Sequence, residues 1–157
     1  ELNGEAHGLL AAALADQPEA AGHIQAVHAD LRTYTPAQAG QFHLAACNPP
    51  YFTGGHVSPD PARAAARHEE TCAFEDAAAC AARLLRDGGR FAVCHRPEQL
   101  ARVLAALTAA RLEPKRLQFV KQAPDAAPWL FLCEAQKNRR PGLTVLPDLL
   151  PGQYPHY

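Results

Sequence analysis

The chain has 157 residues, of which 48% are hydrophobic and 20% charged, with a formal net charge of −1. That length suits one domain able to bury a sizeable core, and that composition excludes disorder throughout. No stretch reaches the roughly 18 apolar residues of a membrane span, so no membrane partner is expected.

In chain order, Glu5 to Asp16 is rich in alanine and leucine and reads as a helix ending near Pro18. The short, partly alternating run Ile24 to His28 suits a strand that leads to Asp30. A second apolar run, Phe42 to Cys47, is cut off by Asn48, Pro49 and Pro50, because proline cannot continue a central ladder. Residues 53 to 67 read as a loop giving way to a helix. From His68 to Arg86 the apolar positions Cys72, Phe74, Ala78, Ala81, Leu84 and Leu85 recur at helical spacing until Asp87, Gly88 and Gly89. Arg90 to His95 is expected as a strand, Glu98 to Ala110 as a helix, and Arg116 to Lys121 and Trp129 to Ala135 as two further strands. The alternation argues for a mostly parallel α/β sheet with helices on its faces. Residues 1–135 would form that domain, and residues 136–157, with four prolines, an extended tail.

The five cysteines are odd in number and contain no CxxC pair, which fits reduced, packed thiols. The eight histidines are scattered without an HExxH or a Cys/His group, so no metal is expected. Charge is uneven. From Arg111 to Arg140 seven Lys/Arg stand against three acids, which suits either a solvated surface or an edge that contacts phosphate.

The most informative stretch is Asn48-Pro49-Pro50-Tyr51, with Phe52 beside it. Ligands of open α/β sheets bind beyond the carboxyl ends of strands, which is where these residues fall. The Asn48 carboxamide and the Pro49 carbonyl are acceptors that could converge on one amino group. Tyr51 and Phe52 offer flat faces for a base, a stacking interaction worth about 1 to 3 kcal/mol. A plain strand-ending turn would need neither Asn48 nor Tyr51.

This tetrapeptide after a strand resembles the fourth motif of the S-adenosylmethionine-dependent amino-methyltransferases. "CNPPYFTGGHVSPDPARAAARHE", "LLRDGGRFAVCHRPEQL" and "LEPKRLQFV" together resemble the bacterial tRNA1(Val) (adenine-N6)-methyltransferase family, over nearly the whole chain. The resemblance implies a Rossmann-like class I methyltransferase fold and N6-methylation of an adenine beside the anticodon of a tRNA. It implies S-adenosyl-L-methionine as cofactor, with Glu1 on the ribose hydroxyls, Asp30 on the cofactor's adenine amine and Asn48 nearby. Asn48, Pro49, Pro50 and Tyr51 would form the catalytic element. Tyr51, Phe52, Arg63, Arg67 and His68 would meet the RNA, although Arg67-His68-Glu69 also reads as an ordinary helix start. His95, at a strand end before Arg96-Pro97, could face the cleft or be structural.

One departure bears on the cofactor. The family's first two strands and glycine-rich loop have no counterpart here, and GxGxxG is absent. A further N-terminal part of the same gene product, in preference to another chain, is therefore expected to complete the sheet, and residues 1–157 alone are expected to bind S-adenosylmethionine weakly or not at all. Glu1-Leu2-Asn3-Gly4-Glu5 lacks the basic and apolar regions of a signal peptide, which suggests a cytoplasmic protein. Three other readings stay open: another amino-methyltransferase acting on ribosomal RNA, DNA or a release-factor glutamine; a noncatalytic RNA-binding module; and a plain α/β scaffold.

Overall fold

A computed structural model describes residues 1–49 and 73–152. They fall into two compact units, Glu1–Tyr34 and Thr35–Tyr157.

The first unit holds α1 (Gly4–Ala15) and the short α2 (Pro18–Ala21). Asn3 caps α1 by accepting the Ala6 N–H on its side chain at 3.0 Å, which satisfies one of the donors orphaned at a helix start. The strand expected over Ile24–His28 is not formed among the described residues. Its pairing is confined to Glu1, whose amino group donates to the Val27 carbonyl at 3.0 Å and whose carbonyl accepts from Ala29 at 3.0 Å. Two hydrogen bonds to a single residue fall short of a ladder.

The second unit is a sheet flanked by helices. Its elements are β1 (Phe42–Cys47), α3 (Phe74–Leu84), β2 (Leu85–His95), a single 3-10 turn (Pro97–Gln99), α4 (Leu100–Ala109), β3 (Leu112–Val120), β4 (Leu130–Lys137) and β5 (Thr144–Val145). Strand order is β1-β2-β4-β3-β5. β1 pairs with β2 and β3 with β5 in parallel, while β4 is antiparallel to both β2 and β3. Four of these five strands therefore run one way. The reversal of β4 follows from its short connection to β3, because neighbouring strands joined by a brief loop must be antiparallel, whereas parallel neighbours need a crossover such as α3.

Two irregularities in the ladders have local causes. Opposite Phe42 and Leu44 of β1 stand Leu85 and Arg90 of β2, so the Arg86–Gly89 segment bulges out of the ladder, with Gly88 at φ +72°. The helix itself already stops at Leu84, whose carbonyl accepts the Gly40 N–H at 2.9 Å. In β3, Pro114 cannot donate to the ladder, and the register with β4 shifts directly after it. The proline-rich segment is partly drawn into the sheet: β5 lies on β3, and Leu149 donates to the Phe119 carbonyl at 2.8 Å.

One face of the sheet carries the core. Phe91, Val93, Leu117, Phe131, Cys133 and Ala135 pack under Phe74, Ala78 and Ala81 of α3 and Val103, Ala106 and Leu107 of α4. The two helices are joined by a two-pronged ion pair, Arg102 Nε and Nη2 to the Glu75 carboxylate at 2.9 and 2.7 Å, which lowers the Glu75 pKa. The other face, with Ala92, Cys94, Leu132 and Gln118, lines an open groove of about 520 Å³. No helix among the described residues is long and apolar enough to cross a membrane.

Leu107 is fully buried, so Leu107→Ala is expected to lower unfolding free energy by about 2 to 5 kcal/mol in urea melts. A Cβ on Gly89 would stand 2.8 Å from the Arg86 carbonyl oxygen; Gly89→Ala should cost about 1 to 3 kcal/mol in the same assay.

Candidate functional site

Because β1 and β2 are parallel, their carboxyl ends reach the same pole of the sheet. The register sets Cys47 opposite Val93, so the next residues, Asn48 and Cys94, become neighbours. Asn48 is exposed and Pro49 buried, which presents the carboxamide while anchoring the chain behind it. The Cys94 thiol donates to Asn48 Oδ1 at 3.1 Å, fixing the direction of that carboxamide. Ala46 and Ala92 leave the groove floor beside Asn48 low, and Gln118, Leu132 and Leu146 continue it. Cys94 carries no signal in the sequence that would single it out; the β1–β2 register alone reveals it.

His95 is a core residue. It is 1% exposed, its ring stands edge-on to Phe74 at 6.0 Å and parallel to Phe131 at 6.3 Å, and its Nδ1 accepts the Arg96 N–H at 2.9 Å. An Nδ1 that accepts leaves the proton of a neutral ring on Nε2.

Glu1 and Asp30 lie close along the chain pairing of the first unit, since Ala29 donates to the Glu1 carbonyl. The exposed Glu1 carboxylate accepts the Asn3 N–H at 2.8 Å. Asp30 is gripped by Arg32: the guanidinium reaches both oxygens and the Arg32 N–H reaches Oδ1 at 2.9 Å. These bonds to the charged form, the side-chain ones foremost, hold the Asp30 pKa down to about 2. Pro50, Tyr51, Phe52, Arg63, Arg67 and His68 lie outside the described residues.

The basic 111–140 segment does not act as one strip. Arg116 faces Glu134 at 3.8 Å, as does Arg90 at 3.6 Å, on the groove side of the sheet. Lys121 pairs with Asp148 at 2.7 Å. Arg111, Arg139 and Arg140 gather instead around a second groove at the opposite pole. Among the described residues, no group of three or more His, Cys, Asp or Glu could hold a metal ion. Burial pushes the Cys133 thiol up to about 11, which makes it a packing residue.

The strand order and the reversed β4 define the class: this is the Rossmann-like fold of the methyltransferases. A predicted O-methyltransferase from Agrobacterium tumefaciens superposes with a TM-score of 0.73 at 22% identity, over 98% of this chain and 69% of that one. A SAM-dependent methyltransferase from Methanosarcina mazei gives 0.54 at 13% identity, over 89% and 81%. In sequence, the resemblance to the tRNA1(Val) (adenine-N6)-methyltransferase family holds. The chain is 32% identical over 114 residues to the tRNA1(Val) (adenine(37)-N6)-methyltransferase of Parabacteroides distasonis, covering 73% of this chain and 48% of that protein. It is 32% identical over 118 residues to the protein of that name from Shewanella loihica, covering 72% and 48%. The match to the one from Cronobacter sakazakii is 38% over 73 residues, 46% of this chain and 30% of that protein. The chain thus spans about half the length of the curated relatives it matches. No family model matches it.

A carboxylate with a depressed pKa contributes stability that is full above its unfolded value, here 3.8, and is lost as pH falls through about 2. The Asp30–Arg32 clasp is therefore expected to persist at pH 3, read from the carbon-13 shift of the Asp30 carboxyl. Arg32→Gln should return that titration toward 3.8.

Proposed function

We propose that this chain is part of an S-adenosylmethionine-dependent methyltransferase that modifies the N6 amine of an adenine in tRNA, beside the anticodon. The observation that carries the reading is the exposed Asn48 carboxamide at the carboxyl end of β1, oriented by the Cys94 thiol. Its oxygen and the Pro49 carbonyl are acceptors for the two hydrogens of an amine. Holding both would leave the nitrogen lone pair directed at an incoming electrophile, so that proximity and orientation lower the barrier. Tyr51 and Phe52 would stack on the base, with Arg63, Arg67 and His68 toward RNA phosphate. Pro50, whose ring restricts φ, would keep the element rigid.

The residues present fit the cofactor in their donor and acceptor chemistry. The exposed Glu1 carboxylate can take two ribose hydroxyls. Asp30 already accepts four contacts from Arg32, so it would take an adenine amine in exchange for one of them. When bound, S-adenosylmethionine supplies an electrophilic methyl group on a sulfonium. A further N-terminal part of the gene product would contribute the glycine-rich loop. A tRNA substrate goes with a cytoplasmic location. The second reading, a noncatalytic RNA-binding module, is favoured by the absence of GxGxxG from the chain.

Transfer of labelled methyl by the full-length gene product to total tRNA, ribosomal RNA, DNA and a release factor tests the reading. N6-methyladenosine in tRNA alone is the expected result; label in another substrate would change the partner, and label in none would favour the binding module. Removing one pre-positioned hydrogen-bonding group commonly costs about 100-fold or more in turnover, and Asn48→Ala is expected to do so with little change in tRNA affinity. Cys94→Ala should cost roughly 3- to 10-fold, in line with about 1 kcal/mol for a lost hydrogen bond, and Cys94→Ser should largely restore it.

A further inference from the structure

We infer that the pole of the sheet opposite Asn48 carries a docking surface for the phosphodiester backbone of RNA, built from Arg111, Arg139 and Arg140. This inference deepens the tRNA reading above and rests on it for the identity of the polyanion.

The three arginines are exposed and line one groove of about 590 Å³ with Thr108, Glu113 and Asn138. Among the described residues none of the three makes an ion pair with a carboxylate, in contrast to Arg32, Arg90, Arg102, Arg116 and Lys121. Unpaired, exposed guanidiniums at one lip are the electrostatic footprint of phosphate binding, and their planar fork matches phosphate geometry.

Backbone geometry is a second, independent observation. The only positive-φ residues other than glycine among those described are Arg111 (φ 61°) and Asn138 (φ 54°), and both line this groove. They are tied together, since Asn138 donates its N–H to the Arg111 carbonyl at 2.9 Å. Arg111 follows the carboxyl end of α4 and donates to the Thr108 carbonyl at 3.0 Å, the place where a helix commonly ends in glycine. An arginine held in a conformation suited to glycine points to a use for its side chain. The Arg139 guanidinium lies against Gly88, which has no side chain to displace it, and donates to the Asn138 carbonyl at 3.3 Å. Lys115 donates to the Arg140 carbonyl at 3.0 Å and steadies the turn that presents Arg140.

Arg111 immediately precedes β3 and Asn138 immediately follows the antiparallel β4, so this groove lies a strand's length from the Asn48 pole, about 30 Å at 3.3 Å per residue. A contact so placed orients a long ligand and takes no part in chemistry at Asn48. Its loss should raise KM for tRNA and leave kcat unchanged.

The test is binding of unfractionated tRNA to the full chain, by fluorescence anisotropy across a salt series, for the wild type, Arg111→Gly and Arg140→Ala. Arg111→Gly removes the charge while relieving the backbone, so its melting temperature should stay level or rise. Each variant is expected to weaken binding about tenfold at 0.1 M salt and to lower the slope of log affinity against log salt by about 1. Arg102→Gln, which removes a cation from the α3–α4 ion pair, should change neither. An unchanged slope in both groove variants would overturn the inference, as would wild-type protein that shows no salt-dependent tRNA binding. An equal loss in Arg102→Gln would mean diffuse net charge and would overturn it too. So would loss of poly-glutamate binding with tRNA binding intact, which would reassign the surface to an acidic protein partner. If the groove variants behave as expected but no RNA is methylated, the surface stands and the methylation reading falls. If RNA is methylated and the slopes do not change, the methylation reading stands and the surface falls.

Discussion

The parallel pairing of β1 with β2 is the constraint on which the rest of this structure depends. Parallel neighbours cannot be joined by a tight turn, so the chain must cross over the sheet, and α3 makes that crossing. Once both strands point the same way, their carboxyl ends share a pole, and the register brings Asn48 beside Cys94. Neither residue has special chemistry alone. An exposed carboxamide held in one direction by a neighbouring thiol is a prepared acceptor, and the buried Pro49 behind it limits its freedom.

The two faces of the sheet are unequal in consequence. α3 and α4 cover one face and bury Phe91, Phe131, Leu107 and the His95 ring against it, which supplies the second unit with its core. The opposite face keeps small side chains near Asn48 and a chain of charges, Arg90, Glu134 and Arg116, farther along. Burial on one side makes the strand ends rigid; openness on the other leaves room for a ligand. The two poles differ as well, with hydrogen-bond acceptors at the ends of the parallel strands and a cluster of arginines where β3 begins and β4 ends.

Much of this is legible from residue order. The helix over Gly4–Ala15, most of those over Phe74–Leu84 and Leu100–Ala109, the strands β1 and β4 and the later parts of β2 and β3 follow from apolar periodicity and proline stops. The stop expected at Asp87-Gly88-Gly89 does not hold, since the helix ends at Leu84 and residues 85–89 belong to β2; β3 begins at Leu112, ahead of the Arg116 start expected. Ile24–His28 departs from its pattern because alternation describes a side chain's two faces and says nothing of whether a partner strand is at hand. The basic segment is visible as a count of charges, but strand alternation and the β3–β4 pairing send Arg116 to one face, Lys121 to Asp148, and Arg111, Arg139 and Arg140 to a distant groove.

Residue order alone supplies the local vocabulary: which stretches are helical, that proline ends β1 after Asn48, and that an asparagine and a proline carbonyl stand together at a strand end. Those are properties of neighbours along the chain, set by backbone stereochemistry and short-range hydrogen bonding. Tertiary structure decided what depends on residues far apart in the chain. It put Cys94 against Asn48, buried His95 between two phenylalanine rings, and joined Arg111 to Asn138. Register, burial and the meeting of distant loops arise only when strands choose partners, and no local pattern of residues encodes that choice.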